Sequence, residues 1–231
     1  VTPKEKTKLV QKVFSDVAFN YDLMNDVMSF GAHRLWKKRF IDMVNPYSGE
    51  KIIDVGSGSG DLVLEIQKRN QNLKIDMVDL NKEMLLEGKK RIKIDNVKFY
   101  QQSAENLSFA DNMYDKYLIS FCLRNITNIE QSFKEALRIL KPGGQYYCLE
   151  FSQPNSFVIA NIYSYYKSNM IPIFGKIFAN NRDAYNYLNE SIDLFPKQDD
   201  LKKKLESAGF KSVKYTNMFD GIVSIHTGYK Y

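Results

Sequence analysis

The sequence predicts an α/β fold with a mostly parallel seven-stranded sheet and helices on both faces. Three features support this: apolar runs alternate with helical periods, a glycine-rich turn follows the first run, and two strand-like segments end the chain. Strands separated by helices form parallel sheets, because a parallel pair needs a crossover connection. The 231 residues, 44% hydrophobic and 26% charged, suit one domain of this kind.

The helical extension comes first. Residues 5 to about 45 are predicted to be helical because Leu9, Val13 and Val17 recur at four-residue steps. Strands are then expected at 51–56, 74–79, 97–101, 115–121 and 145–151, with helices at 60–69, 82–92 and 129–140. A helical insertion follows the fifth strand, and the last elements are a helix at 197–208 and antiparallel strands near 211–218 and 222–229.

These elements are expected to build a single domain over residues 1–231. Within it, residues 1–48 are interpreted as an N-terminal helical lid. Residues 153–190, rich in aromatic and aliphatic side chains, are interpreted as a helical insertion that covers the substrate. Such a helix could line a channel for an apolar tail or lie against a bilayer.

The charge and the cysteine content limit the classes of function that the protein can have. Lys and Arg outnumber Asp and Glu by 33 to 27, and the short basic clusters suit solvated helices, anionic lipid or nucleic acid. Cys122 and Cys148 lie on separate apolar runs, which favours reduced core residues and a reducing compartment. No metal-ligand spacing, membrane span or secretory signal is found, while a removed organelle transit peptide stays open.

The turn at residues 54–61, D-V-G-S-G-S-G-D, contains Gly56, Gly58 and Gly60 between a predicted strand and a helix. Glycines let a ligand approach the backbone closely, and dinucleotides and S-adenosylmethionine both use such turns. The dinucleotide pattern G-x-G-x-x-G requires a third glycine where this chain has Asp61. A carboxylate there disfavours a pyrophosphate, whereas Asp54 or Asp61 could attract the ammonium of S-adenosylmethionine.

The second predicted strand ends in Asp79, where a carboxylate can accept hydrogen bonds from both ribose hydroxyls. Dinucleotide sites have such an acid too, so Asp79 does not decide alone. The glycine turn, Asp79 and the embellished C-terminal half together indicate a class I, Rossmann-like methyltransferase domain. Ser59 either contacts the cofactor or caps the next helix, and Met84 packs on adenine or in the core.

Three further stretches resemble one family closely. Residues 21–36, YDLMNDVMSFGAHRLW, resemble the signature of the C-methyltransferases of ubiquinone and menaquinone biosynthesis. Residues 138–144, RILKPGG, and 149–152, LEFS, resemble its second signature. Residues 119–125, ISFCLRN, are similar to the family motif S-F-G-[LI]-R-N, with a cysteine in place of the glycine. The resemblance runs from about residue 5 to 231.

The resemblance implies methyl transfer from S-adenosylmethionine to a ring carbon of a polyprenylated quinol, 2-polyprenyl-6-methoxy-1,4-benzoquinol and/or demethylmenaquinol, leaving S-adenosylhomocysteine. It assigns cofactor contacts, beyond the three glycines, to Ser59, Asp79, Ser103, Ala104 and Ser120. It assigns the catalytic pocket to Arg124, Asn125 and Tyr21.

Methylation at carbon needs the electron density that a deprotonated quinol hydroxyl supplies. Arg124 is expected to hold that phenolate, since an arginine pKa above 12 makes it a poor proton acceptor; the alternative for Arg124 is a structural ion pair. His33 is a candidate base or orienting residue, and Glu150 a candidate substrate contact.

Two other functions stay open: an RNA or DNA base methyltransferase, and a non-catalytic, lipid-binding scaffold of a quinone-biosynthesis complex. The absence of an appended basic domain and of an N-P-P-Y type motif counts against nucleic acid as a partner. The expected partners are the quinol, a membrane surface contacted peripherally, a quinone-biosynthesis complex and a second copy in a homodimer. The expected location is the cytoplasm beside a bacterial inner membrane, or the matrix side of the mitochondrial inner membrane.

Overall fold

The computed structural model describes residues 5, 7, 8, 10–12, 15, 25, 26, 29–69, 72–170 and 182–231, without the side chains of 167, 170 and 182–186. Its strands are β1 (Lys51–Val55), β2 (Lys74–Asp79), β3 (Val97–Gln101), β4 (Tyr114–Ser120), β5 (Leu140–Phe151), β6 (Lys211–Met218) and β7 (Val223–Tyr229). They form one sheet in the order β3-β2-β1-β4-β5-β7-β6. The first five strands pair in parallel, and β7 runs antiparallel to both β5 and β6.

The α-helices are α1 (Ala32–Val44), α2 (Asp61–Gln67), α3 (Lys82–Arg91), α4 (Ile129–Ile139), α5 (Phe157–Tyr165), α6 (Arg182–Asp193) and α7 (Gln198–Ser207). A π-helix (Tyr166–Met170) continues α5, and short 3-10 helices occur at Leu123–Asn125 and Phe219–Gly221. The α/β fold with seven strands is therefore confirmed, with most boundaries within two residues of their predicted positions.

Two hydrophobic cores lie on opposite faces of the sheet, as strand geometry requires. Successive side chains of a strand point to opposite faces, so Ile52 and Ile53 enter different cores. The core around Ile53 includes Phe133 of α4 and Leu205 of α7, and the core around Ile52 includes Phe40 of α1 and the buried residues of α2. Helices thus cover both faces, which keeps the parallel strands away from water.

Strand β5 differs from the prediction at its start. It begins at Leu140, directly after α4, where Leu140 pairs with Tyr114; the next pair joins Gln145 to Lys116. Between these two pairs β5 contains three more residues than β4. The residues Lys141-Pro142-Gly143-Gly144 therefore form a bulge. The two C-terminal strands form the predicted antiparallel pair at one edge of the sheet, with β6 outermost and β7 between β6 and β5.

The described residues before Ser29 are helical, as predicted, but Leu9, Val13 and Val17 lie outside the described residues. The insertion is helical in its described part, where α5, the π-helix and the start of α6 lie. The roles of lid for residues 1–48 and substrate cover for residues 153–190 stay predictions. Within the part of the chain that the structure describes, no helix is both long and apolar enough to span a bilayer.

The fold leaves a crevice at the carboxyl ends of β1 and β4. Helix α2 connects β1 to β2 over one face of the sheet, whereas α4 connects β4 to β5 over the other. The two connections diverge from adjacent strands, which opens the sheet edge between them to a ligand. The glycine turn after β1 and the segment after β4 both lie at this point.

Candidate active site

The glycine turn packs tightly against the segment that follows β4. The backbone N–H groups of Gly56 and Ser57 both donate to the carbonyl of Val78, at 2.8 and 3.0 Å. Gly56 has a φ of +67°, and a Cβ on it would lie 2.2 Å from the Sγ of Cys122. Only glycine satisfies both the positive φ and this close approach. Cys122 therefore helps to set the position of the turn.

Asp79, at the end of β2, connects the turn to the next loop. Its Oδ2 accepts a hydrogen bond from the N–H of Gly58, and its Oδ1 accepts one from the N–H of Asn81, both at 2.8 Å. Burial raises the pKa of Asp79, while these N–H groups oppose the rise. The carboxylate is thus held in one orientation where the prediction placed a ribose contact.

A cavity of about 320 Å³ opens beside Asp79 at the carboxyl ends of β1, β2 and β4. Most of the predicted cofactor contacts line it, namely Gly56, Gly58, Asp79, Ser103, Ala104 and Ser120. Asn125 lies on the same wall, as does Met84, which is only 2% exposed. This volume falls in the range of small-molecule sites.

The loop after β3 forms the far wall of this cavity. The N–H of Gln102 donates to the carbonyl of Asp79 at 3.2 Å, and the hydroxyl of Ser103 accepts from the N–H of Glu105 at 3.2 Å. Glu105 accepts in turn from the N–H groups of Thr127 and Asn128. These bonds hold Ser103 and Ala104 where the prediction placed the adenine contact.

A second, smaller cavity of about 30 Å³ lies behind the glycine turn. Asp54 lines it with 1% of its surface exposed, and neither carboxylate oxygen has a hydrogen-bond partner in the structure. Burial, with the nearby charge of Asp79, raises the pKa of Asp54 to about 8. The hydroxyls of Ser57 and Ser120 face the same space, also without partners. Buried polar groups without partners are rare, so this arrangement indicates a ligand group that supplies donors.

Asp61 is already paired. Its carboxylate accepts from the Nζ of Lys37 at 2.6 Å and from the Nη2 of Arg91 at 2.8 Å. Burial alone would raise the pKa of Asp61, but these two cations outweigh it and hold the pKa at about 2. The attraction for an ammonium therefore belongs to Asp54, and the expectation that a bare Asp61 repels a pyrophosphate is weakened.

Ser59 contacts the same network. Its hydroxyl accepts a hydrogen bond from the Nη1 of Arg91 at 2.7 Å, and its side chain also lines the small cavity. Gly60 precedes α2, and no side chain caps that helix, so the capping alternative for Ser59 is excluded. Gly56, Gly58 and Ser59 are thus brought to the two cavities, whereas Gly60 lines neither of them.

Arg124 and Asn125 follow β4 in the short 3-10 helix. The Nη1 of Arg124 donates to the carbonyl of Phe121 and to the Oε1 of Glu150, both at 2.7 Å. Arg124 is 8% exposed and Glu150 is fully buried, so the ion-pair alternative for Arg124 is present in the structure. Asn125 faces the larger cavity, and its Oδ1 accepts from the hydroxyl of Tyr187 in α6 at 3.1 Å.

Of the other predicted candidates, Arg124 and Glu150 line neither of the two cavities. Tyr21 lies outside the described residues. His33 is 4% exposed and bonds to Asp26 at 2.8 Å, and it does not line the large cavity. Burial lowers the pKa of His33, with the Asp26 hydrogen bond opposing that effect.

Several residues of the site escaped the sequence analysis. Thr7 and Gln11 line the large cavity, and the side-chain amide of Asn81 donates to the carbonyl of Gln11 and to the hydroxyl of Ser15. The predicted N-terminal lid was the one indication in the sequence that residues of this segment could reach the cavity. Tyr187 had no signal, because nothing in its local sequence points toward Asn125.

The two cavities fit S-adenosylmethionine. The partnerless carboxylate of Asp54 suits the cofactor's ammonium, the fixed carboxylate of Asp79 suits ribose hydroxyls, and the apolar wall at Met84 and Ala104 suits adenine. Within the described residues no cluster of potential metal ligands is found.

The chain is similar in sequence to known proteins over its whole length. The sequence model of the ubiE/COQ5 methyltransferase family matches residues 2–230. A ubiquinone/menaquinone biosynthesis C-methyltransferase UbiE from Rickettsia bellii is 47% identical over 239 residues, covering 100% of this chain and 96% of the relative. The protein of the same name from Rickettsia prowazekii is 46% identical over 235 residues, covering 98% of this chain and 94% of the relative.

Solved structures share the fold at low identity. A SAM-dependent methyltransferase from Thermotoga maritima has a TM-score of 0.68 and 20% identity, covering 95% of this chain and 99% of its own. Phosphoethanolamine N-methyltransferase 2 from Haemonchus contortus, in complex with S-adenosylhomocysteine, has a TM-score of 0.69 and 15% identity over 100% of this chain and 60% of its own. These structures establish the class I methyltransferase fold. The chain belongs to the ubiE/COQ5 methyltransferase family and is an S-adenosylmethionine-dependent methyltransferase.

Proposed function

We propose that this protein methylates a ring carbon of a polyprenylated quinol, 2-polyprenyl-6-methoxy-1,4-benzoquinol and/or demethylmenaquinol. One observation carries the proposal: Asn125 lies on the wall of the cofactor cavity, and Arg124 beside it is held rigidly by Glu150. The relatives named for ubiquinone and menaquinone biosynthesis support the choice of substrate.

Carbon methylation depends on a phenolate. S-adenosylmethionine, when bound, supplies an electrophilic methyl group. The protein must then favour the ionised ring hydroxyl, because the negative oxygen delivers electron density to the carbons ortho and para to it. A fixed positive group beside that oxygen lowers the barrier without having to reorganise during the reaction.

Arg124 suits this electrostatic role. Its guanidinium is anchored by the carbonyl of Phe121, the carboxylate of Glu150 and the ring of Phe151, whose centroid lies 5.3 Å from the Cζ. A guanidinium does not release its proton at physiological pH, so Arg124 stabilises the phenolate and does not act as a base. Glu150 offsets part of the positive charge, which keeps the buried arginine tolerable in the absence of substrate.

Asn125 complements Arg124 with a fixed donor. Because the Oδ1 of Asn125 accepts from Tyr187, the amide is oriented, and its Nδ2 is the atom that can donate to a quinol oxygen. Tyr187 belongs to α6 and therefore couples the helical insertion to the wall of the cofactor cavity. This coupling supports the predicted role of the insertion as a substrate cover.

The test is direct. Purified protein is offered each demethylated quinol with isotopically labelled S-adenosylmethionine, and the product is identified by mass. We expect label in the ring of at least one quinol, and a fall of about 100-fold in turnover for Asn125→Ala, the scale of losing one positioned transition-state donor. Asn72→Ala is the matched control, since Asn72 is exposed, donates its side-chain amide to the hydroxyl of Ser48 and lines neither cavity. Labelling of neither quinol would refute the proposal.

A membrane surface is the proposed source of this apolar substrate. Helix α5 contains no charged residue and exposes several large apolar side chains: Phe157 is 80% exposed, Val158 65% and Ile162 61%. Such a helix can lie in the lipid interface without spanning the bilayer. Co-sedimentation with liposomes measures this contact, which Ile162→Glu is expected to weaken; equal sedimentation of both proteins would contradict it.

The same argument bears on location. Because the relatives are bacterial, we propose a position at the cytoplasmic face of an inner membrane. The expected homodimer and the expected assembly with other quinone-biosynthesis enzymes stay predictions, as does the matrix side of the mitochondrial inner membrane for a eukaryotic source.

A further inference from the structure

The small cavity behind the glycine turn has an acidic and a basic side chain on its walls. Asp54 contributes a buried carboxylate without a partner, and Lys37, from α1, contributes an ammonium whose side chain is only 12% exposed. Ser57 and Ser120 line the same cavity, and their buried hydroxyls have no hydrogen-bond partner. The cavity therefore offers acceptors for a cation and donors for an anion within one small space.

This pairing restricts the ligand group. A phosphate would suit Lys37 but would face the carboxylate of Asp54, and a metal ion would suit Asp54 but would be repelled by Lys37. A zwitterion that carries an ammonium and a carboxylate on the same carbon atom satisfies both walls. The α-amino acid end of the cofactor is such a group.

We propose that Lys37 and Asp54 together hold the amino acid end of S-adenosylmethionine, with Asp54 taking the α-ammonium and Lys37 the α-carboxylate. The inference rests on the proposed function and adds a binding residue from the N-terminal part of the chain. Lys37 can do this without leaving Asp61, because an ammonium has three donors and the bond to Asp61, at 2.6 Å, uses one. The ion pair with Asp61 then serves to aim Lys37 at the cavity.

The competing explanation is that Lys37 only holds Asp61 in place. Arg91 provides a control for the preference between ligands, because it makes the other ion pair to Asp61, at 2.8 Å, holds Ser59 and does not itself line the small cavity. If Asp61 alone matters, Lys37→Met and Arg91→Met should have similar effects on ligand affinity. If Lys37 binds the carboxylate, only Lys37→Met should distinguish ligands with and without that group.

The experiment measures the dissociation constants of S-adenosylhomocysteine and of its decarboxylated analogue by calorimetry, using displacement for the weaker ligand. Wild type should prefer S-adenosylhomocysteine by about 10-fold or more, and Lys37→Met should weaken it by about 10- to 100-fold, the range for a hydrogen bond to a charged group. The same variant should change the affinity for the analogue by less than about 3-fold. Arg91→Met should not alter the preference between the two ligands, and Lys37→Arg should restore it.

Three results would overturn the inference: equal affinity of wild type for both ligands, equal losses for both in Lys37→Met, or a preference lost to the same degree in Arg91→Met. The comparison of ligands on wild type decides the matter even where Lys37→Met does not fold. A wild-type protein that binds no S-adenosylhomocysteine would instead refute the proposed function. Quinol methylation together with an unchanged preference in Lys37→Met would refute only the assignment of Lys37.

Discussion

Replacement of Arg124 by methionine tests the buried ion pair on which the proposed chemistry depends. Methionine keeps much of the side-chain volume but removes the charge and its donors. Glu150 has no exposed surface. Among the described residues it then keeps two hydrogen-bond donors, the backbone N–H of Phe151 at 2.8 Å and the backbone N–H of residue 124 at 3.3 Å. An uncompensated carboxylate in the core is expected to cost about 3 to 5 kcal/mol of unfolding free energy.

The loss should depend on pH, with a definite sign. Burial raises the pKa of Glu150 above 4.5 in the folded protein, and Arg124 opposes this rise. Without Arg124 the folded pKa moves higher still, so folding takes up a proton over a wider range of pH. Stability then falls as the pH rises from the unfolded pKa to the raised folded pKa. The penalty is therefore complete in mildly alkaline buffer and shrinks as acid protonates Glu150.

Urea unfolding followed by tryptophan fluorescence measures this loss of unfolding free energy at each pH. Trp36 is the chain's single tryptophan, and it is buried against Phe121 and Phe151, next to the ion pair. We expect a loss of about 4 kcal/mol for Arg124→Met at about pH 8 and a markedly smaller loss at about pH 5.

A second substitution separates folding from catalysis. Glu150→Gln in the Arg124→Met background removes the stranded charge while keeping an oxygen for the Phe151 N–H, so most of the stability should return. Turnover should not return, because the guanidinium is still absent. As a control, Arg34→Met breaks a largely exposed pair to Asp26 and should cost less than about 1 kcal/mol. A pH-independent loss, or turnover in the double variant equal to wild type, would show that Arg124 does not act as argued.

Three further predictions concern the surrounding structure. Binding of S-adenosylhomocysteine should release a proton at about pH 6.5 and tighten toward pH 8, because Asp54, with a pKa of about 8, must ionise to pair with an ammonium. Calorimetry in buffers of different ionisation enthalpy measures the release, and its persistence in Asp54→Asn would contradict the assignment. Gly56→Ala should destabilise by about 2 to 4 kcal/mol, from its positive φ and its clash with Cys122, and by about 1 to 2 kcal/mol less in a Cys122→Gly background; an equal cost in both backgrounds would refute the contact. Lys116→Met should cost about 2 kcal/mol in urea unfolding, since the buried ammonium bonds to the carbonyls of Val44 and Asn45, whereas a cost near zero would show that those carbonyls are satisfied otherwise.

Sequence periodicity was sufficient for most of the sheet because apolar residues are concentrated in the central strands and the connecting helices have their own apolar faces. The glycine turn and Asp79 could also be predicted from the sequence, since their chemistry depends on the backbone next to them. Contacts between segments that are distant in the sequence could not be predicted. The hydrogen bond from Tyr187 to Asn125 joins residues 62 positions apart, and the bond between Thr7 and Thr127 joins residues 120 apart. No local pattern encodes such pairs, because they depend on how the insertion and the N-terminal segment pack over the sheet.

The charges around the glycine turn give a physical reason for the choice of cofactor, and this reason involves Asp54 and Asp79 as well as Asp61. Three carboxylates surround the turn, and their surroundings differ: Asp61 is neutralised by Lys37 and Arg91, Asp79 is held by backbone N–H groups, and Asp54 has no partner. A pyrophosphate on this turn would meet Asp54 and Asp79, not Asp61. A sulfonium ligand with an ammonium at one end and ribose hydroxyls at the other supplies a cation to the first and donors to the second. The turn therefore selects against a dinucleotide through the two acids at the ends of β1 and β2, and Asp61 contributes indirectly by holding Lys37 at the cavity.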